Sequence, residues 1–154
     1  MKATALLSLA ALATSTASKI LLVGDSWAFK AGDPLKEVLK NHSDPREVVN
    51  RGISGSTAAQ WADLPDHVRT LVDMHGGTEV EYIWVSVGGN DAQDQLPGCQ
   101  LAGGTRDECV QECLDSVLNS TQKFLDPVVA AYPDIKIFQF GYDILNVSQC
   151  FLLL

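Results

Sequence analysis

Ser26 comes two residues after Gly24, directly behind the apolar run Ile20-Leu21-Leu22-Val23, so its hydroxyl stands where a strand turns into the next element. Two later segments, Gly52-Ile53-Ser54-Gly55-Ser56-Thr57 and Gly88-Gly89-Asn90-Asp91, follow strand-like runs in the same way. A serine in such a turn exposes its hydroxyl and places its own N–H near the positive end of a helix, which favours negative charge forming beside it. Gly55 has no side chain, so its N–H can approach a substrate oxygen, and Asn90 offers an amide NH2. Ser26, Gly55 and Asn90 thus amount to a nucleophile and donors for an oxyanion, which is the chemistry of ester hydrolysis. Singly, they read as a helix cap, a turn residue and an asparagine tolerating a left-handed turn. Their recurrence at three strand ends points to one site. Asp25 and Asp91 read as turn-stabilising residues. Trp27, beside the serine, is a candidate for lining a pocket, and Trp61 and Trp84 read as core.

The elements that would position these residues follow from pattern. Lys19 to Val23 is short and continuously apolar, as in a strand covered on both faces. Asp33 and Pro34 read as the N-cap and first residue of a helix that runs to about Lys40. Glu47 to Asn50 reads as a second strand. A helical stretch from about Ala58 to Met74, interrupted by Pro65, is stopped by Gly76-Gly77. Tyr82 to Val87, aromatic and β-branched, is the clearest strand. Asp94 to Gly104, with Pro97 and three glycines, reads as a loop. Thr105 and Glu108 form a capping box for a helix that Pro127 is expected to kink before it ends near Tyr132-Pro133. Ile135 to Phe140 is a fourth strand. Strands alternating with helices predict an α/β fold with a parallel sheet and helices on both faces, and such sheets bind ligands at the carboxyl ends of their strands.

The chain has 154 residues, enough for one domain and too few for two. Its 11 basic and 19 acidic residues include no basic cluster, so nucleic acid is not an expected partner. Met1 to Ala17 reads as a secretory signal peptide: Lys2, an apolar stretch from Ala3 to Ala13, then Ser15 and Ala17 at cleavage-site spacing. That stretch falls well short of the ~20 residues of a membrane span. The domain proper is therefore expected over residues 18–154 of an exported protein. Cys99, Cys109, Cys113 and Cys150 would then pair as two disulfides, with Cys99 bridging to Cys109 or Cys113. Cys109 and Cys113 lack a nearby histidine or a CxxC partner, which argues against zinc. Asn41, Asn119 and Asn146 open Asn-X-Ser/Thr sequons. Neither GxxxxGK[ST] nor GxGxxG occurs, and no cofactor is expected.

The three motifs resemble the first three sequence blocks of the SGNH hydrolases, also called GDSL esterases and lipases. Gly24-Asp25-Ser26 is similar to the first block, with Ser26 matching the nucleophile. Gly52 to Thr57 is similar to the second, with Gly55 rather than Gly52 matching the oxyanion glycine. Gly88-Gly89-Asn90-Asp91 is similar to the third, with Asn90 matching the oxyanion asparagine. The resemblance runs from about Lys19 to Asp143. It implies a flavodoxin-like three-layer α/β/α sandwich with a parallel sheet, four strands present and the fifth missing. It also implies hydrolysis of a lipid, acetyl-sugar or small ester, with no cofactor.

The family's late DxxH block, which carries its acid and base, has no counterpart here, and His42, His67 and His75 all precede Asn90. The domain is therefore expected to be C-terminally incomplete, with the fourth strand left as an edge and turnover impaired or absent. A catalytically dead ester- or carbohydrate-binding module of the same fold is the alternative.

Overall fold

The computed structural model describes residues 17–140. Four strands, β1 (Lys19–Gly24), β2 (Glu47–Asn50), β3 (Val80–Ser86) and β4 (Lys136–Phe140), form one parallel sheet in the order β2-β1-β3-β4. Leu21 sits opposite Val49 on one side and Ile83 on the other, and Ile83 sits opposite Ile137. Five helices surround the sheet: α1 (Ser26–Asn41), α2 (Ala58–Ala62), α3 (His67–Met74), α4 (Gly89–Leu101) and α5 (Arg106–Ala131).

Strand side chains alternate between faces with a period of two, and the core divides accordingly. Leu21, Val23, Val49, Ile83 and Val85 pack with Trp61 of α2, Val68 and Val72 of α3, and Phe124 and Val128 of α5. Ile20, Leu22 and Val48 point the other way, against Ala28 and Leu39 of α1, with Leu35, Tyr82 and Trp84 at the margin. The result is the expected three-layer α/β/α sandwich. The links from β1 to β2 and from β2 to β3 lie on opposite faces, so the strand order reverses beside β1. That reversal puts the topological switch point between the carboxyl ends of β1 and β3, where open α/β sheets bind ligands.

Two helices depart from the expectation. The first starts at Ser26 rather than near Pro34: Asp25 is its N-cap, accepting from the Trp27 N–H, and Pro34 lies inside the helix. The carbonyl that loses its usual helical donor to Pro34 belongs to Lys30, an exposed residue. The stretch expected as a loop, Asp94 to Gly104, is mostly the second half of α4. Pro97 there removes the usual helical donor to the carbonyl of Gln93, an exposed residue, Leu96 is buried, and a disulfide from Cys99 to Cys109 ties the last turn to α5. In the interrupted stretch the helix breaks after Ala62 and resumes at His67.

The capping box at Thr105 and Glu108 is present, and hydrogen bonds from Thr105 hold the Glu108 carboxyl below its usual range. Of the cysteines, Cys113 is buried and has no disulfide partner among the described residues. Met1 to Thr16 of the expected signal segment, Asn146 and Cys150 lie outside the described residues. Among those described, no helix is long and apolar enough to cross a membrane.

Candidate functional site

The three motifs meet at the carboxyl ends of β1 and β3, and hydrogen bonds join them into a ring. Gly24 ends β1 at φ +121°, and a Cβ there would lie 1.9 Å from the Ser86 carbonyl oxygen, so only glycine lets the two strand ends close up. The Asp25 N–H then donates to that carbonyl at 2.7 Å, and the Ser86 hydroxyl donates to Asp25 Oδ1 at 2.9 Å. The same Oδ1 takes the Trp27 N–H at 2.9 Å. Asp25 is almost wholly buried, and its carboxylate is offset by these donors and by the N-terminus of α1.

Ser26, half-buried, is the first residue of α1. First-turn N–H groups have no acceptor within their helix, and that of Ser26 meets none among the described residues.

The second motif hangs on the first through Gly24. Its carbonyl accepts the Ile53 N–H at 2.7 Å and the Ser56 hydroxyl at 3.1 Å. Ser56 Oγ in turn accepts from Trp61 Nε1 at 2.8 Å. These bonds pin the loop from Ile53 to Ser56 across the end of β1, with Thr57 and Gln60 forming a second capping box that starts α2. Gly55, at φ +80°, is exposed, with nothing within 4 Å of where a Cβ would sit. Its N–H donates to no described group. The Gly52 N–H, by contrast, is already given to Asn50 Oδ1 at 3.0 Å.

The third motif closes the ring. Asn90 is not in a free turn but in the first turn of α4, and its Nδ2 donates to the Ser56 carbonyl at 2.8 Å. That uses one of its two amide hydrogens. Asp91, buried, accepts the Ala58 N–H at 2.9 Å and the Ala59 N–H at 3.4 Å, and so caps α2 from α4. Its charge lies between two helix N-termini, its own and that of α2. Ser56, Ser86 and Trp61 were not singled out from sequence as parts of this assembly. The signal was thin: Ser56 only follows Gly55, and Ser86 only ends a strand.

None of the histidines takes part in the ring's hydrogen bonds. His42 caps the far end of α1, sixteen residues or about 24 Å along the helix from Ser26. His75 follows α3, and its Nε2 lies 3.2 Å from Arg51 Nε. Burial, with the charges of Arg51 and Lys19 nearby, pushes its pKa below the ordinary histidine value. His67 starts α3 with its ring centroid 5.8 Å from that of Trp61. None of the three bonds the Ser26 hydroxyl. Trp27 is 56% exposed and packs on Phe140 with ring centroids 6.0 Å apart, whereas Trp61 is buried and Trp84 half-buried.

No protein-family model matches the chain, and no curated protein matches it either. Solved structures do. AlinE4, described as an SGNH-hydrolase family esterase, superposes with a TM-score of 0.52 at 22% identity, over 82% of this chain and 59% of that one. Axe2, an acetylxylan esterase from Geobacillus stearothermophilus, superposes with a TM-score of 0.45 at 20% identity, over 73% of this chain and 57% of that one. By the first of these overlays the chain has the fold of an SGNH hydrolase, and it spans about three-fifths of the length of that protein.

Proposed function

We propose that the protein is an exported ester hydrolase in which Ser26 is the nucleophile and the N–H groups of Ser26 and Gly55, with Asn90 Nδ2, form the oxyanion hole. The observation that carries this reading is the ring itself. It leaves two backbone N–H groups and one amide hydrogen without described acceptors, on three segments that its hydrogen bonds join, one of which carries a serine at a helix N-terminus. The occupied N–H of Gly52 favours Gly55 as the donor from the second motif. The exported-esterase reading also takes Met1 to Ala17 as a signal peptide, and lipid, acetyl-sugar or small esters as substrates.

In this mechanism Ser26 Oγ attacks the ester carbonyl carbon as the carbonyl oxygen takes up negative charge among the three donors. Collapse of that intermediate expels the alcohol and leaves an acyl-serine, which water then hydrolyses. A base must take the hydroxyl proton, and no described histidine bonds Ser26. The chain of 154 residues is accordingly expected to acylate slowly and to turn over little, the donors alone supplying residual rate enhancement. That same observation favours a second reading, a non-hydrolytic module that binds esters or carbohydrates through the same pocket.

The test is incubation with a short-chain aryl acetate, followed by mass spectrometry of the Ser26 peptide. One acetyl group on Ser26, absent from Ser26→Ala, is the expected result. Saturable ligand binding without acylation would favour the binding module. Acetylation that persists in Ser26→Ala, or neither binding nor acylation, would remove both readings.

A further inference from the structure

One buried hydroxyl in the described residues has no hydrogen-bond partner, that of Thr121. Thr121 is 4% exposed and lies in the middle of the core stripe of α5, with Cys113 and Val117 before it and Phe124 and Val128 after it. Every other buried position of that stripe is apolar. A helical threonine can return its proton to the carbonyl four residues earlier, but here that bond to Val117 is not made. A valine would fill the same space without stranding a polar group in the core, so the fold gives no reason for threonine.

The sequence supplies one. Thr121 is the third residue of Asn119-Ser120-Thr121, in which a hydroxyl-bearing side chain at that position marks the asparagine for N-linked glycosylation. Two residues along a helix turn the side chain through about 200°, and Asn119 is accordingly exposed while Thr121 faces the core. At the other described sequon, Asn41-His42-Ser43, the serine is exposed and strands nothing.

We infer that Asn119 is an N-glycosylation site and that Thr121 is held in the core for the sake of that modification. This rests on the reading of the chain as exported. In the transfer the Nδ2–H bond of Asn119 breaks and a bond from Nδ2 to the first sugar carbon forms. The oligosaccharide comes from a lipid-linked diphosphate donor, the lipid diphosphate leaves, and the proton goes to the medium. Because the fold buries the Thr121 hydroxyl, the transfer precedes the folding of α5, and the folded protein is not a substrate.

The full chain would be expressed in a eukaryotic secretory cell twice, with its own leader and behind a second, proven one, and the Asn119 peptide analysed by mass spectrometry with and without enzymatic deglycosylation. A glycan on Asn119 is expected, lost in Asn119→Gln and Thr121→Val and retained in Thr121→Ser. Unglycosylated Thr121→Val made in bacteria should melt a few degrees higher than the parent. An unmodified Asn119 in chain delivered behind the second leader would overturn the inference, as would a lower melting temperature for Thr121→Val. A glycan that appears only with the second leader would overturn the export reading, and with it the claim that Thr121 is kept for the modification, while leaving Asn119 a competent acceptor.

Discussion

Phe124 and Phe138 lie on opposite sides of the same sheet and meet different surroundings. Phe124, on α5, is wholly buried against the face that α2, α3 and α5 cover, and it packs on Trp61 at 6.2 Å. Phe138, on the other face of β4, keeps 59% of its surface in water and stacks on Tyr82 at 6.0 Å. On that second face α1 covers β1 and β2, while Tyr82, Trp84, Phe138 and Phe140 of β3 and β4 form an aromatic shelf that α1 meets only at its margin, through Leu35 and Trp27. The carboxyl-end ring draws on both sides: Ser26 comes from α1, and Gly55, Asn90 and Asp91 come from segments leading into or lying in α2 and α4. A site assembled across a sheet in this way depends on the better-packed face to hold its donors.

That dependence can be broken most forcefully at Phe124. Phe124→Ala should cost about 3–5 kcal/mol of stability, while Phe138→Ala should cost under about 1 kcal/mol, by denaturant unfolding of both. Equal losses would show that the aromatic shelf is as tightly packed as the covered face.

Asp91 comes next. Asp91→Ala leaves the N–H groups of Ala58 and Ala59 without their acceptor, at a cost of about 1–3 kcal/mol. It should also slow acetylation of Ser26, since the start of α2 would lose its tie to α4 and the bond from Asn90 to the Ser56 carbonyl would alone hold the loop there. Asp91→Asn keeps an acceptor oxygen and should recover most of both losses. An Ala variant that loses stability but acetylates at the parent rate would show that the cap does not position the donors.

The smallest effect is at His75. Its pKa is lowered in the folded protein, so above its ordinary value of 6.5 both folded and unfolded chains hold it neutral and it contributes no slope. As pH falls from 6.5 through the lowered value, the unfolded chain takes up a proton that the folded one refuses, and stability declines. His75→Gln should flatten the stability profile across that window. An unchanged slope would assign the acid loss to other groups.

Much of the architecture was legible because it depends on short-range pattern. The run Ile20 to Val23 and the aromatic strand from Tyr82 onward announce a doubly covered sheet. The Thr105 and Glu108 capping box lies within four residues, and glycine-bearing motifs after strands mark where a parallel sheet presents its loops. What went astray was also local in origin. Pro34 and Pro97 carry the usual signals of a helix start and a loop, yet both sit at exposed positions inside helices. In α4, burial of Leu96 and the Cys99–Cys109 bridge outweigh the weak propensity of a Pro-Gly pair.

Sequence alone therefore determined the strand-and-helix alternation, the three motifs at strand ends and the candidacy of Ser26, Gly55 and Asn90, since each follows from residue type and from spacing within a few positions. Tertiary structure alone decided that the Gly24 carbonyl takes the Ser56 hydroxyl, that Asn90 reaches the Ser56 carbonyl, and that Asp91 caps a helix 33 residues earlier in the chain. It also decided that none of His42, His67 and His75 hydrogen-bonds Ser26. Those outcomes depend on which strand ends become neighbours when the sheet closes, and spacing along the chain carries no record of that.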